Sequence, residues 1–223
     1  MKRRAKPGQP ELPFKGRGGA RPGAGRKPKG ARAGVSHHGR DAFNKAHPVH
    51  VTARLRAGLP SLRRKDAHRA ILRAFEAGAE RSGFRLIHYS VQSTHVHLIV
   101  EASDRRSLSR GLQGLLIRVA RGLNRAWRHE GSIWADRYHD RILGTPSEVR
   151  NALAYVLNNA KRHGIYEAGV DPFSSGLWFD GWREAKPSVS VPSILPRART
   201  WLLTLGWRRR GLISLNTVPS GCG

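Results

Sequence analysis

An α+β fold built on an antiparallel sheet, with helices packed mainly on one face, is the architecture this sequence predicts. Three observations carry that prediction. Apolar residues alternate along His47–Leu55, Phe84–Val91 and His95–Ala102, the two-residue period of strands with one buried face. Between and after these runs lie stretches whose apolar residues recur at helical spacing. Only three residues separate the last two strands, which makes them hairpin partners and therefore antiparallel.

The first strand is His47-Pro-Val-His-Val-Thr-Ala-Arg-Leu55, with Val49 and Val51 on one face. Leu59-Pro60 is a loop. Asp66 to Ser82 reads as a helix, with Ile71, Phe75 and Ala79 four apart and Gly83 as its C-cap. Phe84–Val91 and His95–Ala102 follow as the hairpin. Arg105 to Arg128 is a long helix with a stripe of Leu108, Leu112, Leu115, Leu116, Val119 and Leu123; Arg110, Arg118, Arg121, Arg125 and Arg128 occupy the other side, as a solvated face or a DNA contact. A strand lies within Ile133–Leu143. Thr145 and Glu148 then form a capping box for a helix running to Gly164. Strand, helix, strand, strand, helix, strand, helix is the ferredoxin-like order.

Two flanks differ from this region, which spans 46–175. Residues 1–45 form a basic tail: its first forty carry twelve Lys or Arg against one acid, Glu11, with dense Gly and Pro. Such a segment cannot offset its ordering entropy by burial and is expected to be disordered alone. Within it, Gly19-Ala-Arg-Pro-Gly-Ala-Gly-Arg-Lys-Pro-Lys-Gly30 resembles an AT-hook, which makes Arg26 and Lys27 candidate DNA contacts; the plainer reading is a solubilising or phosphate-hugging tail. Residues 176–223 read as a proline-marked linker (Pro187, Pro192, Pro196) and a small basic appendage with one or two short helices.

In 223 residues, 41 Lys and Arg face 15 Asp and Glu, a formal charge of +26. That excess speaks of a polyanionic partner. No run approaches the roughly 18 apolar residues of a spanning helix, and no apolar core follows the basic N-terminus as a secretory signal requires. Cys222, the one cysteine, excludes an internal disulfide and a cysteine metal cluster. These features predict a cytoplasmic, nucleoid-associated protein that partners DNA and uses neither a membrane nor a small-molecule cofactor.

The chemistry concentrates in two places. His95-Val96-His97 projects two imidazoles to one face of a strand, half of a divalent-metal site. Farther on, Tyr155 and Asn159 are spaced i, i+4 and so share one helix face. Lys161 and Arg162 lie within two turns of Tyr155 and are candidate phosphate contacts. Each has a bland reading: the histidines as polar residues on an exposed sheet face, Tyr155 as a packing aromatic beside Leu153 and Val156. Tyr89, Tyr138 and Tyr166 compete for the nucleophile's role, but only Tyr155 has Asn159 one turn on. His88, Glu101 and His139 are possible supporting groups around the pair.

The ordered set His95-Val-His97, amphipathic helix, aromatic strand, Tyr155-Val-Leu-Asn-Asn159 and Lys161-Arg-His-Gly164 resembles the single-tyrosine HUH transposases of the IS200/IS605-like group, above all the REP-associated tyrosine transposase branch. The resemblance covers roughly His47 to Phe173. It implies the Y1 transposase fold, Tyr155 as nucleophile, and His95, His97 and Asn159 as ligands of Mg²⁺ or Mn²⁺. It further implies cleavage and strand transfer of single-stranded, hairpin-flanked DNA through a 5′-phosphotyrosine, in a homodimer. Three alternatives stay open: an HUH replication or mobilisation nuclease, a non-catalytic DNA- or RNA-binding protein, and a water-activating metal nuclease that leaves no covalent adduct.

Overall fold

The computed structural model describes residues 47–162, 164–165, 169–185 and 189–219. The basic tail with Arg26 and Lys27, and also Tyr166 and Cys222, lie outside the described residues. In order come β1 (His47–Arg54), α1 (Lys65–Glu76), β2 (Glu80–Arg81), β3 (Phe84–Val91), β4 (His95–Ala102), α2 (Arg105–Trp127), β5 (His139–Ile142), α3 (Pro146–Leu157), α4 (Asn159–Arg162) and α5 (Trp201–Thr204). Two 3-10 turns, Ser175–Trp178 and Gly206–Arg210, flank the last stretch.

The strands form one sheet in the order β2-β3-β4-β1-β5, with every pairing antiparallel. Leaving aside the two-residue β2, this is the ferredoxin-like order that the sequence predicts. The period-two pattern sorts the side chains. Val49 and Val51 of β1 and Val96, Leu98 and Val100 of β4 sink into a core with Ile71 and Phe75 of α1 and Leu108, Leu112 and Leu115 of α2. At Gly111 the helix α2 comes so close to β3 that an added Cβ would lie 2.2 Å from the Phe84 ring.

The opposite face carries a second core. Ile87 and Ile99 meet Val149, Leu153 and Val156 of α3, together with Phe179, Trp182, Leu203, Trp207 and Ile213. So α1 and α2 cover one face, and α3 lies on the other with the segment that follows it. The buried Glu101 carboxylate clasps that segment, accepting from the backbone N–H groups of Arg199 and Thr200 and from the Thr200 hydroxyl, while Arg85 pairs with it at 2.7 Å. Glu101 is thus committed to structure rather than to the candidate site.

Three boundaries depart from the sequence reading. The first helix stops at Glu76, not Ser82, because Glu80 and Arg81 pair with Arg85 and Phe84 and turn the chain into a hairpin. Gly83 is accordingly no C-cap: it holds φ +73° in that hairpin turn, where a Cβ would meet the hydroxyls of Ser103 and Ser107 at 2.7 Å. The fifth strand is only His139–Ile142, preceded by a single bridge from Leu55 to Trp134. The helix after the Thr145–Glu148 capping box, which forms as predicted, ends at Asn158 (φ −103°, ψ 11°) before the chain restarts as α4.

Candidate active site

Register places the site. In β4, His97 lies opposite Thr52 of β1 and Ser90 of β3, while His95 lies opposite Arg54. Alternation then puts His50, Thr52, His95 and His97 on the sheet face that α3 covers. From α3, Tyr155 comes down onto this patch: its ring centroid is 5.1 Å from that of His97 and 5.7 Å from that of His50, edge-on to both. The His95 and His97 rings stand 4.7 Å apart. Two strands and one helix thus converge four side chains, His50, His95, His97 and Tyr155.

His97 is buried, and its Nδ1 lies 3.2 Å from His50 Nε2 and 3.1 Å from Thr52 Oγ1. Such contacts select a tautomer. With the proton on Nδ1, donated to the Thr52 hydroxyl oxygen or to His50 Nε2, the ring's lone pair lies on Nε2. Burial, reinforced by the neighbouring His139 and Arg141, pushes the His50 imidazole down to about 4. It is therefore neutral at pH 7 and able to accept that hydrogen bond through an unprotonated Nε2. Sequence reasoning missed His50 and Thr52. The signal was present: with Val49 and Val51 pointing into the core, their neighbours must point at the other face.

The remaining predicted residues are placed unequally. Asn159 is fully buried, and neither atom of its amide has a hydrogen-bond partner among the described residues. It does not continue Tyr155's helix, since the break at Asn158 falls between them. Arg162 is exposed, with its guanidinium 5.7 Å from the Tyr155 ring centroid. Lys161 instead donates to the Leu215 carbonyl and ties α4 to the C-terminal segment. Arg118 and Arg121 are exposed on α2, the helix of the opposite sheet face, and are not brought to the site. His88 bonds Ser175 Oγ at 3.1 Å, His139 lies exposed opposite Thr52, and Asp140 pairs with Arg105.

The donor set bears on the ion. Among the described residues no group of three or more His, Cys, Asp or Glu side chains could hold a metal. Two imidazoles alone bind a hard divalent ion weakly, and a buried amide oxygen without a partner is the kind of group that can add to them. The residues present fit a weakly held ion whose shell substrate oxygens and water complete.

The chain thus has a ferredoxin-like sheet with paired histidines on a central strand, faced by a helix-borne tyrosine. A model of the IS200-like transposases matches residues 45–159, and the chain belongs to that family. Its fold is shared with the REP-associated tyrosine transposase in a structure bound to a REP hairpin: 19% sequence identity and a TM-score of 0.51, over 74% of this chain and all of that one. A Deinococcus radiodurans R1 protein assigned as a transposase, known from a crystal structure, matches at 16% identity and a TM-score of 0.38, over 49% of this chain and 87% of its own. No curated protein matches the chain. No helix among the described residues is long and apolar enough to cross a membrane.

Proposed function

We propose that this transposase cleaves and rejoins single-stranded DNA, in the manner of an HUH endonuclease, through a covalent link to Tyr155. The observation that carries the reading is the approach of the Tyr155 ring to within 5.1 Å of His97 in the same chain. His95, His97 and Asn159 would hold Mg²⁺ or Mn²⁺, which when bound polarises a nonbridging phosphate oxygen and stabilises the charge that develops there.

The chain's own groups supply the rest. The Tyr155 phenol gives up its proton, and its oxygen attacks phosphorus. The P–O3′ bond breaks as the O–P bond to tyrosine forms, leaving a 5′-phosphotyrosine and a 3′-oxygen that takes up a proton. Arg162 stands on the tyrosine's side of the site, where its charge favours the incoming phosphate. Because the ester link conserves the bond, a 3′-hydroxyl can later attack it and restore a phosphodiester without ATP. Activated water would discard that energy, which argues against a simple hydrolase.

The partner this reading supplies is single-stranded DNA beside a hairpin; the solved transposase that shares the fold is bound to a REP hairpin. Histidines and tyrosine converge within one chain, which supports a site assembled from one copy. Labelled single-stranded DNA incubated with Mn²⁺ and run on a denaturing gel tests the proposal. Wild type should show a protein–DNA adduct, and Tyr155→Phe none. An adduct that survives Tyr155→Phe refutes the assignment.

A further inference from the structure

We infer that the C-terminal stretch Arg197–Arg210 is a docking platform for single-stranded nucleic acid, with an unpaired base stacking on Trp201. The inference rests on the proposed function only in taking single-stranded DNA as the partner.

Trp201 begins α5 and leaves 47% of its surface exposed; Leu205, one turn on, leaves 61%. The Arg209 guanidinium sits 5.1 Å from the Trp201 ring centroid. The indole also leans on Gly206, where an added Cβ would come within 2.7 Å of the ring. The ring is therefore held in place yet open to solvent. Arg197, Arg199, Arg209 and Arg210 of the same stretch are exposed, and the sequence has no Asp or Glu after Glu184. Of these arginines, Arg199 pairs with Glu80 at 3.3 Å, and the neighbouring half-buried Arg208 pairs with Asp180 at 2.6 Å.

The platform is fastened to the same side of the sheet as the tyrosine. Glu101 grips the chain at Arg199 and Thr200, and buried Leu202, Leu203 and Trp207 pack with residues of α3, the helix that carries Tyr155. A fixed, half-exposed indole on an arginine-rich stretch has the two elements of single-strand recognition: an aromatic face for a base and guanidinium groups for phosphates. Duplex bases are already stacked and offer no face to an indole, so the fit is to unpaired nucleotides. Self-association fits poorly. A stable dimer needs about 800 Å² from each partner, whereas Trp201 and Leu205 make a narrow apolar strip that a two-fold axis would surround with like charges.

The test compares binding of two fluorescent DNA probes by polarisation, without divalent ions: a blunt hairpin and the same hairpin with a single-stranded tail. Trp201→Ala should weaken binding of the tailed probe by about tenfold or more, the worth of one stacked base, and leave the blunt probe unchanged. Trp201→Phe should keep most of the affinity. Abasic nucleotides walked along the tail provide a second measurement that needs no altered protein: one position should reproduce the loss in wild type and add nothing in Trp201→Ala. Unchanged tail affinity, equal loss for both probes, or a Trp201-dependent dimer in sedimentation with tail binding intact would each overturn the inference. Since no ion is present and no bond is cut, the result stands apart from adduct formation at Tyr155.

Discussion

His97 has two nitrogens, and their division of labour rests on residues of a neighbouring strand. Thr52 Oγ1 and His50 Nε2 both reach its Nδ1, and on the proposed function the other nitrogen would hold the ion. Thr52→Val keeps the shape and deletes the hydroxyl. The expected outcome is Mn²⁺ binding weakened by about tenfold, read by electron paramagnetic resonance of the free ion and hence independent of cleavage, with the melting temperature nearly unchanged. Intact Mn²⁺ affinity would count against the orienting role. At this scale the sequence told much but not all. His95, His97 and Tyr155 were visible as a pattern because strand alternation and helix spacing are local rules. The partnership of His97 with His50 depends on which strands become neighbours, and no local pattern states that.

At the scale of the element, α3 shows how local chemistry aims a functional side chain. The Thr145 hydroxyl accepts from the Glu148 N–H, and the Glu148 carboxylate accepts from the N–H groups of Gly144 and Thr145. The capping box thereby fixes where the helix begins and so the rotation at which Tyr155 meets the sheet. Thr145→Ala should cost about 1 kcal/mol, seen as a fall of roughly 2–4 °C in Tm for a chain of this size. No change in Tm would mean the cap contributes nothing. This start was legible, since capping is a signature of a few adjacent residues. The stops were not. Ala79 continues the helical spacing of Ile71 and Phe75, yet the chain leaves the helix because β3 offers Glu80 and Arg81 a partner. Likewise nothing in the residues of Tyr155–Arg162 announces the break at Asn158; the Asn158 side chain donates to the Ser214 carbonyl, a contact 56 residues away.

For the molecule as a whole, buried histidines tie stability to pH. Burial lowers His50 and His88 to about 4 in the folded chain, from an ordinary value near 6.5. The unfolded chain therefore binds protons at these residues before the folded one does. Stability is fully present above about pH 6.5 and declines as pH falls toward 4, each unit of pKa difference amounting to about 1.4 kcal/mol per histidine. Tm measured from pH 7.5 to 4 should fall across that window, and His88→Gln should flatten the slope. A Tm that holds constant from pH 6.5 to 4 would contradict this account. The ferredoxin-like layout was legible from element order, because short connections leave few topologies. That residues beyond Phe173 build one wall of the sheet was not, since their apolar residues are scattered among prolines without a clear period.

That wall changes what a premature stop codon would mean for this gene. Loss of everything after about residue 195 would remove Leu202, Leu203, Trp207 and Ile213, four buried side chains. At about 1.5–3 kcal/mol each, their loss rivals the whole stability of an ordinary domain. It would also leave the buried Glu101 carboxylate without its Arg199 and Thr200 donors. The truncated product would not be a trimmed transposase awaiting its DNA. It would be a sheet with one side stripped, a substrate for proteases, and selection should hold the reading frame open to the end even where the tail of the coding sequence touches no catalytic residue.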